Sequence, residues 1–125
     1  MKTLKIVIPE LPPSLNELLR MHYRGRMLER DKWVWLVAGH TSRQAEPFQR
    51  ARVKITYYFP DKRRRDPDNY AGGAKNIMDA IVARGLLADD SFQYVELTVA
   101  GEVDREHPRT EIEITEIAEK KGVFI

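Results

Sequence analysis

The stretch AKNIMDAIVARGLLADDSFQYVELTVA, residues 74–100, decides the architecture. Ala74, Ile77, Met78, Ile81 and Val82 recur at i, i+3, i+4, i+7 and i+8. This spacing lines one face of a helix and predicts a core-facing stripe over 74–84. Gly85 follows as the residue expected just past a helix end. Asp89, Asp90 and Ser91 read as a turn. The period then changes, and Val95, Leu97 and Val99 alternate as a half-buried strand does.

Three more segments alternate in the same way: Leu4, Ile6 and Ile8; Val53, Ile55, Tyr57 and Phe59; and Ile112 with Ile114, flanked by Glu111 and Glu113. Their β-branched and aromatic content agrees with strands. Residues 28–45 have the length and the lack of breakers of a second helix, although their apolar residues cluster instead of striping. The expected fold is a small α+β domain occupying all of 1–125, with a mixed sheet of four strands or slightly more packed by two helices. Residues 101–108 (GEVDREHP) are turn-like and suggest that the last two strands form a hairpin. Residues 9–27 read as a long loop with three prolines and several basic residues, and loops of that length are often functional.

The 125 residues suit one domain with one core, and 42% apolar residues mixed with charge argue against disorder. The absence of cysteine excludes disulfides and thiolate zinc sites and fits a reducing compartment. No apolar run approaches a membrane span, and the N-terminal apolar segment is too short for a signal peptide. A cytoplasmic protein without membrane attachment is expected. The net charge of +2 conceals an asymmetry: residues 1–65 carry 15 Lys and Arg against 6 Asp and Glu, whereas 66–125 carry 6 against 13. A basic half points to a polyanionic partner; equally, the two halves could pair with each other in the fold.

The acidic residues around the helix at 74–84 are the candidate chemistry. Asp66 and Asp68 precede it, and Asp89 and Asp90 follow it. Magnesium takes hard oxygen ligands and keeps several waters, so two or three carboxylates suffice. A helix of this length spans about 16 Å, so the two clusters meet only if a flanking loop folds back, and Gly85–Ala88 could supply that return as a short strand. The simpler reading is structural. Asp66-Pro67 is a good N-cap with proline at the first helical position, Asp68 suits the helix dipole, and Asp89-Asp90-Ser91 makes a turn. That reading leaves Lys62-Arg63-Arg64-Arg65 unexplained; four cations beside paired carboxylates suit a site that grips phosphate and metal together. Lys75 either stabilises charge in phosphoryl transfer or pairs with Asp79 one turn on. His22, His40 and His107 lack metal-ligand spacing. Trp33 and Trp35 suit a core or a dimer surface better than a base-stacking platform.

Four blocks in order resemble the RusA-type Holliday junction resolvases, endodeoxyribonucleases common in prophages and acting in DNA recombination and repair. LPPSLNE (11–17) resembles the family's N-terminal block, FPDKRRRDPDN (59–69) its signature, KNIMDAI (75–81) its lysine helix, and GLLADDS (85–91) its Asp-Asp turn. The resemblance runs from about residue 6 to 116. It implies a homodimer that binds four-way junction DNA and cuts two opposed strands symmetrically with magnesium, manganese being a possible substitute. It also implies metal ligation by Asp66, Asp68 and Asp90, with Asp89 beside the third, and an essential role for Lys75. Lys62, Arg63, Arg64 and Arg65 would hold phosphates. Asn69 could bond a ligating carboxylate or serve the helix start, and Asn16, Arg24 and Arg26 of the long loop are further candidate DNA contacts. The chain departs from the family pattern at Gly72-Gly73, where it carries an insertion. Glycine costs a helix roughly 1 kcal/mol relative to alanine, so a loop or bulge is expected there. Two other readings remain: a branched-DNA-binding module whose cleavage is weak or lost, and a broader flap or branched-DNA nuclease.

Overall fold

The structure is a computed structural model that describes residues 2–44 and 46–118. The tail AEKKGVFI (118–125), which in sequence suits a frayed end or a partner contact, lies from residue 119 onward outside the described residues. Four strands, β1 (Thr3–Ile8), β2 (Ala51–Phe59), β3 (Val95–Val103) and β4 (Arg109–Glu116), form one mixed sheet in the order β1-β4-β2-β3. β4 runs antiparallel to both β1 and β2, and β2 pairs with β3 in parallel. The α+β class and all four expected strands are present.

The hairpin between the last two strands is not. β3 and β4 lie on opposite sides of β2. Two adjacent strand spacings amount to about 10 Å, and the short segment Asp104–Pro108 crosses that distance over the end of β2. Asp104 anchors it: its N–H donates to the Phe59 carbonyl at 2.8 Å, and its Oδ1 accepts from the N–H groups of Glu106 and His107. Arg109 completes the corner, donating to Asp104 Oδ2 at 2.7 Å and stacking 3.8 Å over the Tyr58 ring. The turn expected over 101–108 is confined to 104–108, because residues 101–103 continue β3, and the strand beyond the turn pairs with β2 instead of β3.

Among the described residues there are four helices, not two: α1 (Leu15–Arg20), α2 (Tyr23–Gly39), α3 (Pro67–Gly73) and α4 (Lys75–Ala83). The segment 9–27 is therefore only partly loop. Ser14 and Glu17 form a reciprocal capping box that starts α1, a signature present in the sequence as Ser-x-x-Glu. His22 caps α2, its Nδ1 accepting from the Arg24 N–H at 3.2 Å. α2 ends at Gly39, short of the expected 45, and its apolar residues divide between two sides. Trp33 and Val37 are fully buried, whereas Leu28 and Trp35 are exposed, which is why no single stripe is visible.

The helices cover one face of the sheet. Ile6, Ile8, Val53, Ile55, Tyr57, Ile112 and Ile114 meet Trp33, Val37, Ile77 and Ile81 in one core. The other face is charged, with Lys5, Lys54 and Glu113 in register across β1, β4 and β2. Part of the charge asymmetry is spent internally: Lys5 pairs with Glu111, Arg30 with Asp79, and Arg50 and Arg52 with Glu96.

The β2–β3 connection positions the candidate site. Parallel strands need a crossover, and α3 and α4 supply it. α4 closes as expected: Gly85 adopts φ +79°, with Gly85 N–H bonding Val82 O and Leu86 N–H bonding Ile81 O, the two bonds of a Schellman motif. The chain then returns through buried Leu86 and Leu87, where Leu87 bridges to Phe48 in a parallel pair.

Candidate functional site

The basic loop after β2 is organised by Asp61. Its Oδ1 accepts the Arg63 N–H at 3.0 Å and Arg65 Nη2 at 2.9 Å, and these bonds, the backbone one foremost, hold its carboxyl below the usual carboxylate range. Arg65 turns inward, donates to the carbonyls of Asp61 and Arg63, and lies 4.1 Å over the Phe59 ring. Its side chain is only 14% exposed, against 75% for Arg63 and 89% for Arg64. Lys62, Arg63 and Arg64 therefore face solvent, while Arg65 ties the loop together.

Asp66 sits at the N-cap of α3, Pro67 opens the helix and Asp68 lies in the first turn. The positions match the structural reading, but the Asp66 side chain makes no cap hydrogen bond. Its carboxylate instead lies 3.3 Å from exposed Arg64. α3 is seated from below by Tyr70, whose ring packs 5.1 Å from Phe59 and 5.7 Å from Tyr57. Tyr57 also donates its hydroxyl to the Tyr70 carbonyl at 3.3 Å, and burial pushes its phenol pKa well up.

The glycine pair forms no bulge. Gly72 and Gly73 are the last residues of α3, and the break before α4 falls at Ala74. A Cβ on Gly73 would stand 2.7 Å from the Pro13 carbonyl oxygen, and one on Gly72 would stand 2.8 Å from Leu15 Cδ2. The glycines thus let α3 lie directly against the Pro13–Leu15 segment. Asn69 joins the same contact, its Oδ1 accepting the Asn16 N–H at 3.0 Å. The Asn69 side chain thus ties α3 to the first turn of α1, a contact outside the two roles expected for it. Asn16 itself is on α1, and Arg24 and Arg26 are on the first turns of α2, not in a loop.

Lys75 begins α4, and its Nζ donates to Asp79 Oδ1 at 2.9 Å, the expected i, i+4 pair. It also lies 3.8 Å from Asp90 Oδ2. The return through Leu86–Leu87 thus brings Asp90 back to the start of α4. The Asp79 hydrogen bond, followed by the charges of Asp79 and Asp90, raises the Lys75 pKa above its ordinary value. Arg30 of α2 holds the other oxygen of Asp79 at 3.5 Å; sequence reading missed Arg30, for no local pattern links it to α4. Asp89 accepts the Asp90 N–H on its Oδ1 at 2.8 Å and lines a surface depression together with Arg30, Lys75, Asp79 and Asp90.

Lys75 and Asp90 line an open groove of about 660 Å³ between the helical crossover and β3. Among the described residues, no three acidic or imidazole side chains gather as a metal cage. Asp90 comes to Lys75, and Asp66 to Arg64. The donor set nonetheless suits magnesium. Asp66, Asp68 and Asp90 offer hard carboxylate oxygens, and the Asp90–Lys75 contact, at 3.8 Å, is longer than a hydrogen bond. A magnesium ion needs only one or two protein carboxylates when water and phosphate complete its shell.

A small α+β domain that aims carboxylates, a cationic lysine and an exposed basic loop from one helical crossover has the equipment of a phosphodiester-handling protein. The family model of endodeoxyribonuclease RusA matches residues 21–115, and the chain belongs to that family of Holliday junction-resolving endodeoxyribonucleases. The match includes the basic loop, both acidic clusters and Lys75, and leaves the LPPSLNE block outside it. No curated protein matches the chain.

Proposed function

We propose that this protein is a magnesium-dependent endonuclease that resolves Holliday junctions by cutting two opposed strands symmetrically, as a cytoplasmic homodimer. The observation that carries the reading is the approach of Asp90 to Lys75 at the groove, in a chain of an endodeoxyribonuclease family. Asp66, Asp68 and Asp90 would hold magnesium or manganese, with Asp89 shaping the turn that presents Asp90. The ion would polarise the scissile phosphate and lower the pKa of an attacking water.

In hydrolysis the water oxygen forms a new P–O bond, the ester P–O bond breaks, and the leaving oxygen takes a proton. Lys75, kept cationic by Asp79 and Asp90, suits stabilisation of the charge that builds on the phosphate and donation of a proton to the leaving oxygen. It does not suit the role of general base. Lys62, Arg63 and Arg64 suit contacts to flanking phosphates, which set register and not sequence. Two sites on opposed strands call for a two-fold dimer. Leu19, Tyr23, Leu28 and Trp35 expose apolar area on α1 and α2, the kind of surface a second copy would cover. No described helix is long and apolar enough to cross a membrane.

Labelled four-way, flap and duplex substrates test the reading in magnesium. Paired nicks confined to the four-way junction support it. Equal cutting of flaps makes the protein a broader branched-DNA nuclease. Tight, salt-sensitive binding without cutting makes it a binding module.

A further inference from the structure

Phe92 is the most exposed large apolar residue among those described, 84% accessible, two residues after Asp90. Its position is not slack. Arg50, whose side chain is 5% exposed, donates Nη1 to the carbonyls of Phe92 at 3.2 Å and Gln93 at 2.9 Å, and Nη2 to Glu96 at 3.2 Å. The turn is further closed by the Tyr94 and Val95 N–H groups on the Ser91 carbonyl. A buried cation thus fixes the backbone that displays an aromatic ring to water.

Phe92 lines the same groove as Lys75 and Asp90, together with Ala71, Gly72, Met78 and Leu97. Leu97 shares a sheet face with buried Val95, yet it is 44% exposed in the wall of the groove. Lys75 and Asp90 bring charge to this space, Arg50 and Glu96 line it beside Phe92, and the remaining wall is apolar, with an exposed aromatic among it. A cation suited to phosphate beside a mainly apolar groove that carries an exposed aromatic ring matches one nucleotide, with its phosphate near Lys75 and its base in the groove. Every base has a face that stacks on an aromatic ring. Bases at a branch point are open to unstacking in a way that bases within a duplex are not.

We propose that Phe92 and this groove receive an unstacked nucleobase at the branch point, so that Phe92 is a positioning residue that sets the adjacent phosphate against Lys75 and Asp90. This rests on the junction-cleaving reading and adds a base-binding slot to it.

The test uses four-way junctions carrying 2-aminopurine at successive branch-point positions, bound in calcium so that strand scission does not interfere. At one position the wild-type protein should change the fluorescence, Phe92→Ala should abolish that change, and Phe92→Trp should restore it. Phe92→Ala should weaken junction binding by roughly five- to a hundredfold, the range that loss of one stacked base gives, and leave duplex binding and the melting temperature unchanged. An identical fluorescence response in Phe92→Ala overturns the proposal, as does a loss of dimer mass on sedimentation, which would make Phe92 a subunit contact. The two readings fail separately. Phe92-dependent fluorescence in a protein that does not cut in magnesium keeps the base slot and removes the nuclease. Magnesium-dependent cutting with no Phe92 dependence does the reverse.

Discussion

Replacing Gly73 by alanine tests whether the glycine pair is there for the contact between α3 and the Pro13–Leu15 segment. In an ordinary helix the change should help, since alanine is better than glycine by about 1 kcal/mol. Here the new Cβ would stand 2.7 Å from the Pro13 carbonyl oxygen and 3.4 Å from Leu15 N. Both are backbone atoms, so the clash is relieved only by moving a helix. Overpacking of this kind costs about 1–3 kcal/mol. Subtracting the propensity gain leaves a net loss of up to about 2 kcal/mol, or a melting temperature lower by several degrees for a domain of this size. Gly72→Ala should cost less, because its nearest neighbour is Leu15 Cδ2, the end of a side chain. Gly39→Ala, with nothing within 4 Å, is the control and should be neutral or stabilising. Urea unfolding of the three variants gives the ranking. A Gly73→Ala protein more stable than wild type, as helix propensity alone would make it, would refute the close-contact argument. Displacement of α3 also moves Asp66 and Asp68, so Gly73→Ala should lose cleavage even at temperatures where it is fully folded.

Other expectations follow from the charged groups. Arg64→Ala should lower the salt slope of junction binding by about one unit and leave the melting temperature alone, whereas Arg65→Ala should lower the melting temperature, because Arg65 holds the loop and packs on Phe59. Asp79→Asn removes the chief cause of the raised Lys75 pKa, so the lysine, followed by NMR titration, should lose its proton at lower pH than in wild type. The sign is that of a raised group: the stabilisation from the Lys75 pair is complete below the ordinary lysine value of 10.5 and is lost as pH rises through the higher folded value. Asp61 is the opposite case. Its folded pKa is depressed below 3.8, so its hold on the basic loop persists above that value and is lost as pH falls through the lower folded one, which amide shifts of Arg63 should report.

The sequence carried the helix at 74–84 almost entirely, because its stripe, its glycine stop and its return all rest on local physics. Ile77 and Ile81 are fully buried, and Gly85 takes the left-handed conformation. The strands were equally legible, for β2 buries every second residue. Pairing was not. Whether β4 lay beside β3 or crossed to the far side of β2 depends on long-range packing that no turn sequence encodes. Ser14 and Glu17 announced α1 in a pattern that the neighbouring prolines obscured. At the site, the carboxylates and Lys75 stood out by residue type and order. The inward turn of Arg65, the arginine behind Phe92 and the reach of Arg30 to Asp79 are tertiary facts. Gly72-Gly73 looked like a flaw in a helix and proves to be its contact surface.

The measurement that bears most directly on the proposed activity compares wild type with Asp68→Asn on a labelled four-way junction in magnesium, with binding measured in parallel in calcium. Asp68 is exposed in the first turn of α3, and no described side chain is bonded to it, so the substitution should leave the fold intact. Wild type should release paired, symmetric nicks that require magnesium, while Asp68→Asn binds the junction as tightly and leaves it uncut. Equal cutting by the two proteins would contradict the assignment of Asp68 to the metal.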